Sequence, residues 1–445
     1  MIARRDAVAL VVGIVVGTGI FRSPSVVAAT TGSFGWSMAA WALGAVITIA
    51  GVMCYAELAT TYPHAGGDYF VLRRALGADV GFFFAWARLT VIPTGSIALH
   101  AFVFGDYASE LLSLGPASSA VWAVICVVGL TALNVAGLRP GAGTQRMLTV
   151  LVVVGLAVVA IVGLGAQPPP EPAGAAPGGA TAGGFATAMV FVLLAYGGWN
   201  EAAYISAEVR GGRRAVAVAL LAGIAIVTVL YLLANVGYLR ALGVAGTAAS
   251  HAPATDVLAR VAGARCGEVI SIIVALAALT SANATILMGS RSMYAFGRDY
   301  PLFARLGRWT ARDSPAHAML VEGGAALALI AFGAATRAGF EAMVSYTSPV
   351  FWLFFMLTGV SLFVLRRRDR DVERPFRVPL YPLTPAVFCL SSAYLLYASI
   401  AHTGVGALLG VAVLATGAIP FWLSRGAAAA RVAVRRASAP EEKHA

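Results

Sequence analysis

Apolar runs of about 20 residues, the length a helix needs to cross a bilayer, recur along the whole chain. Short polar or basic joints separate them. Twelve runs meet that length: 7–30, 36–60, 80–112, 119–137, 146–166, 184–208, 215–239, 266–293, 317–335, 341–365, 380–401 and 404–424. The pattern predicts an all-α polytopic membrane protein with twelve transmembrane helices. The third and eighth runs are long enough to tilt or to extend beyond the membrane.

Two runs are interrupted at mid-depth. In the first, Gly13, Gly17 and Gly19 fall within seven residues, around Gly17-Thr18-Gly19-Ile20-Phe21. Each interior Gly costs a helix about 0.8–1.0 kcal/mol relative to Ala. In the sixth, the run is Leu194-Ala195-Tyr196-Gly197-Gly198-Trp199-Asn200-Glu201. Glycines also serve close helix packing. Their recurrence at matching positions favours another reading, because unwound backbone survives in a bilayer only where protein or a watery cavity satisfies it. The two spans are five helices apart and cross in opposite directions, which is the arithmetic of a 5+5 inverted repeat. Paired broken spans of this kind mark transporter binding sites. Freed N–H groups suit a carboxylate and freed carbonyls suit a cation. A site built from both recognises a zwitterion, such as an α-amino acid.

This division gives a first five-helix repeat over 1–165, an external Pro/Gly-rich loop over 166–184 and an inverted second repeat over 185–365. Spans eleven and twelve follow over 366–424, then a basic tail over 425–445. The loop reads as a disordered connector. The stretch from about 240 to 265 predicts a short amphipathic helix with Val257, Leu258 and Val261 on one side. Met1 to Asp6 is short and basic, and the next run is too long for a signal peptide, so it is read as a helix that stays.

Composition agrees. Hydrophobic residues make up 59% and charged residues 11%, against roughly 25% charged in soluble domains. Basic residues concentrate on alternate joints; the exceptions on the other side are Arg240, Arg260, Arg265 and Arg337. This bias puts both termini in the cytoplasm, and for a bacterial source the membrane is the inner one. The net charge of +11 does not indicate nucleic acid, since no basic cluster is interleaved with aromatics. Cys54, Cys126, Cys266 and Cys389 are scattered, with neither a disulfide nor a metal spacing, and read as small buried hydrophobes. There is no HExxH or GxSxG in a suitable setting, so the chain is not read as an enzyme.

GTGIFRSP in span one, YAELATTYPHAGGDYFVLRRALG from Tyr55, LAYGGWNEAAYISAEVR from Leu194 and SRSMYAFGRD from Ser290 resemble the amino acid–polyamine–organocation superfamily. The likeness is to its L-type amino acid transporter branch and related bacterial permeases. The resemblance implies a leucine-transporter-type fold, alternating access and no cofactor. It implies a substrate carboxylate on the Thr18 hydroxyl and the Thr18 and Gly19 amides, with Ile20 beside them. The amino group meets the carbonyls of Val15, Leu194 and Gly197. Asn200 supports the unwound stretch, and Tyr196 and Trp199 shape or gate the pocket.

Two departures stand out. Leu194 occupies a gating position that is often Phe. Span five lacks the Lys found in many relatives, with Val152 in its place, seven residues after Gln145. The absence of that Lys argues against a Lys-based proton coupling. The candidate coupling ions are H+ and Na+, a sodium site standing in place of that ammonium and drawing on carbonyls near Gly13 and Val16 and on Ser281 and Thr280. The alternative is that Thr280 and Ser281 bond back onto their own helix. Animal L-type exchangers use a glycoprotein partner. The joint from Ser113 to Ser118 has no Cys to link one, so none is expected.

Ionisable residues within spans are functional candidates. Glu57 is read as a structural partner of an inner-face Arg. Arg88 snorkels inward, Arg22 caps the span-one break or lines the outer vestibule, and His100 is a packed helix residue. Glu201 follows the second break and either relays a proton, favours a cationic substrate or bonds to polar neighbours. The functional expectation is secondary active transport of amino acids. Exchange of one amino acid for another is the alternative, and a non-transporting receptor is a weaker one, since no output domain follows Arg425.

Overall fold

The computed structural model describes residues 4–64, 66–137, 142–169, 181–204, 213–300, 303–308, 315–336 and 338–423. Most of the external loop and the basic tail lie outside them. Among the described residues the protein is helical, with no strand. Eleven helical stretches are long and apolar enough to cross a membrane. The first run joins them as a twelfth, interrupted span.

That span is α1 (Arg4–Val15), a 3-10 turn (Thr18–Phe21) and α2 (Ser23–Thr31). Span two is α3 (Phe34–Thr61), followed by a surface helix α4 (Gly67–Leu76). Span three is not one long helix. It divides into α5 (Ala78–Thr90) and α6 (Ile92–Leu111) at Val91. Pro93 explains the division: it has no N–H to donate, and its ring clashes with the preceding turn. Spans four and five are α7 (Ser118–Val135) and α8 (Ala142–Gly165). Span six is α9 (Ala182–Ala195), a turn at Tyr196 to Gly198, and α10 (Trp199–Tyr204).

Span seven is α11 (Arg213–Ala249), with a kink at Gly243. The amphipathic helix is α12 (Pro253–Ala262). Val257 and Leu258 are buried in it as expected, but Val261 faces outward, 43% exposed. Spans eight to twelve follow as α13 (Ala264–Asp299), α14 (Ala316–Thr336), α15 (Gly339–Arg368), α16 (Leu383–His402) and α17 (Val405–Ala415). The last carries on past a turn to Leu423.

Apolar exposure divides the helices into a shell and a centre. On α8, Met147, Val150, Val154, Val158 and Ile161 are exposed. Their spacing of three and four residues makes one stripe along a helix. A second stripe on α16 carries Leu390, Tyr394 and Tyr397. Such continuous apolar surface on a protein marks a membrane face. The centre is built from spans one, three, six, eight and ten: α6 packs on α13 and α15, and α2 on α9. Cys54 and Cys126 are buried as expected, whereas Cys266 is exposed.

Candidate functional site

The two breaks meet. A Cβ on Gly19 would lie 3.0 Å from the Cα of Ala195, and one on Gly198 would lie 2.9 Å from the carbonyl oxygen of Ile14. Gly198 also has φ +97°, a left-handed conformation that glycine adopts without a steric penalty. Both glycines are therefore set by the close approach of spans one and six. Tyr231 on α11 ties the junction from behind. Its buried hydroxyl lies 3.0 Å from the carbonyl of Val15 and 3.2 Å from that of Ala195, spanning the last helical turns before both breaks.

A cavity of about 240 Å³ opens in front of the breaks. This is below the roughly 300–1,000 Å³ of drug-sized pockets and suits a small solute. Val15, Thr18, Gly19, Leu194, Gly197, Asn200 and Glu201 line it, together with Arg88, Ser96 and His100 from span three. Thr285, Met288 and Gly289 of α13 and Phe340, Thr347 and Phe351 of α15 close the remaining walls. Three expected residues are elsewhere. Ile20 is fully buried and Tyr196 packs between Trp41 and Tyr231. Trp199 sits against Tyr55, Phe355 and Phe388. Large aromatic rings next to a helix break fill the packing gap that the break creates, so these two hold the turn from outside the cavity.

Within the cavity the Thr18 hydroxyl lies 2.8 Å from Nδ1 of His100. His100 is thus a cavity residue bonded to the first break, not a packed bystander. The Oδ1 atom of Asn200 is buried without a hydrogen-bond partner among the described residues. Leu194 leaves its carbonyl to the amide of Gly197, at 3.0 Å.

The charges form two clusters, one on each side. Outward of the first break, Arg22 bonds to Asp106 (3.3 Å) and Glu341 (2.9 Å) and lies 3.1 Å from Nδ1 of His251. Ser119 donates to the other oxygen of Asp106 at 2.6 Å. Arg22 also stacks over Phe340, 5.7 Å from the ring centre. Inward of the second break, Arg88 pairs with Glu201 at 2.5 Å. Arg88 therefore does not snorkel; a carboxylate within reach holds it on the cavity wall. Its side chain is 22% exposed and that of Glu201 33%, against 6% for Arg22. The side chain of Glu341 in the outer cluster is 31% exposed, so each cluster has one partly exposed carboxylate, while the Arg22 guanidinium is the more buried of the two cations.

Glu57 binds Arg366 and Arg374 and accepts from the Val378 amide at 2.7 Å, the structural role expected of it. Of the residues named for a sodium site, Thr280 takes the back-bonded alternative. Thr280 donates back to Leu276 and Ala277 of its own helix, at 2.7 and 3.0 Å. Gly13 faces Thr149, whose Cγ2 lies 2.4 Å from where a Cβ would be. Neither these two nor Val16 or Ser281 lines the cavity.

The sequence reading passes over Tyr231, Pro93 and Glu322. Glu322 had a legible signal, as the lone acid in span nine. Tyr231 had none, because its partners are remote in sequence.

Comparison with known proteins agrees with this geometry. The amino acid permease family model matches residues 3–420. The chain is 31% identical over 416 residues to the mouse b(0,+)-type amino acid transporter 1, covering 89% of this chain and 81% of the relative. It is 29% identical over 430 residues to the human large neutral amino acids transporter small subunit 2, covering 94% and 79%. By the span of that match and the two broken helices that frame its cavity, the chain belongs to the amino acid permease family.

Proposed function

We propose that this protein carries α-amino acids across the membrane by alternating access, holding the zwitterion between the breaks of spans one and six. The meeting of both breaks on one small cavity supports this reading. The carboxylate accepts from the Thr18 hydroxyl and from the amides beside it. The Thr18 oxygen is then left to accept a hydrogen bond from Nδ1–H of His100, which fixes the tautomer that substrate binding needs. The ammonium donates to the carbonyls around Leu194 and Gly197 and to Oδ1 of Asn200. The carbonyl of Val15 already faces Tyr231 and serves as part of the frame.

Arg22 with its partners forms the outer lid, and Arg88 with Glu201 the inner one. Each closes the cavity in turn. The termini are cytoplasmic, in keeping with the distribution of basic residues. No bond chemistry is assigned to the site.

Counterflow tests the reading. Liposomes holding the purified protein and a millimolar internal amino acid pool should take up a labelled external amino acid, and empty liposomes should not. Binding without counterflow would favour a receptor. Repeating the assay with choline in place of sodium tests a sodium requirement.

A further inference from the structure

Glu322 is a buried acid that the binding site itself does not use. It lies on α14, is fully buried, and neither carboxyl oxygen has a hydrogen-bond partner among the described residues. Its position is built for it. A Cβ on Gly289 would sit 1.7 Å from Oε1 of Glu322, so the carboxyl occupies the space that a side chain at 289 would take. Gly289 lines the substrate cavity, as does the neighbouring Pro93. The carboxyl thus abuts the cavity wall with a single glycine backbone between.

An ionised carboxylate without a donor or counter-ion is costly in a dry interior, and such a group is kept neutral. Arg88 lines the same cavity as Gly289, the glycine that covers the carboxyl. In this conformation Arg88 is engaged with Glu201. His100 on α6, Cys126 on α7, Arg291 on α13 and Tyr346 on α15 are titratable groups on the helices packed against α14. None of them bonds to Glu322.

We propose that Glu322 is the proton-carrying carboxyl that links amino acid movement to a proton gradient, with Arg88 as the cation that sets when the proton leaves. This rests on the reading of the cavity as an amino acid site. Glu322 takes a proton from water when the cavity opens outward and holds it while Arg88 is paired with Glu201. When the inner lid parts, Arg88 turns to Glu322, and the proton passes to cytoplasmic water. One proton moves with each substrate, and the carboxyl returns to its starting state.

The test compares two modes of transport in proteoliposomes. Glu322→Gln replaces the carboxyl by a neutral group of the same shape. Accumulation driven by an inward proton gradient should be lost in this variant, and the pH dependence of net uptake should flatten. Counterflow, which needs no net proton movement, should persist. Glu322→Asp should retain gradient-driven accumulation. Unchanged accumulation and an unchanged pH profile in Glu322→Gln would overturn the proposal. A pH-sensitive dye in weakly buffered liposomes gives a readout that needs no variant. Proton entry with the amino acid supports the proposal. Net amino acid uptake without proton entry refutes it while leaving amino acid transport standing. Absence of counterflow in the unmodified protein removes the reading on which it rests.

Discussion

Thr18 stands where a backbone break, a histidine and the cavity coincide. A hydrogen bond to a charged group contributes about 1.5–3 kcal/mol. Thr18→Val removes the hydroxyl and keeps the shape, so KM for uptake should rise roughly tenfold or more. Thr18→Ser should stay near the parent value. Equal KM in all three proteins would take the hydroxyl out of substrate binding. Thr18 and Gly19 were legible in the sequence because glycines in an apolar run are conspicuous. The same reasoning misplaced Tyr196 and Trp199. Adjacency to a break says that a side chain is near the site, but rotation of the turn decides whether it faces the cavity or the core. Tyr231 was illegible for another reason: it reaches Val15 across 216 positions, and no local pattern encodes that distance.

At the scale of elements, the proposed lids rest on two ion clusters. Arg22 joins the outer half of span one to α6 through Asp106 and to α15 through Glu341. Tyr107 of α6 adds a bond to the carbonyl of Phe21 at 2.9 Å. Arg22→Ala removes the cation and leaves two carboxylates facing each other. In a background without native cysteines, Leu99→Cys puts a thiol on the cavity wall. A membrane-impermeant thiol reagent added from outside should label it faster when Arg22→Ala is present. Equal labelling rates would show that Arg22 does not close the outer side.

A second tie lies between α4 and the end of α15. Asp369, just past α15, accepts from Arg74 of α4 at 2.8 Å and from the Tyr62 hydroxyl at 2.9 Å. Partial burial opposes ionisation of Asp369, but these bonds prevail and hold its carboxyl below the ordinary value. Because the folded value is depressed, the stabilisation is present above the unfolded value of about 3.9. It is lost as pH falls through the folded value. Asp369→Asn should therefore lower the melting temperature slightly at neutral pH, in keeping with the roughly 0–1 kcal/mol of an exposed pair. The difference from the parent should vanish in acid; a constant difference at all pH values would remove the ion pair as its cause.

For the whole molecule, hydropathy placed twelve spans, because a bilayer fixes helix length, but α11 runs to Ala249 and α13 to Asp299, past the ends at 239 and 293. It missed the division of span three, since a proline inside a long apolar run alters helix direction without altering hydropathy. The central site emerged from comparing two halves of the chain. The lids did not, because Arg88 and Glu201 are 113 residues apart and Arg22 and Glu341 are 319 apart. One relative is named as a small subunit.

The claim that a zwitterion is held between two helix breaks is tested most directly by blocked analogues. Uptake of a labelled amino acid is measured with three competitors: the same amino acid unlabelled, its amide without a carboxylate, and its N-acetyl form without an ammonium. The account predicts strong competition by the first and little by the other two. Equal competition by all three would contradict it.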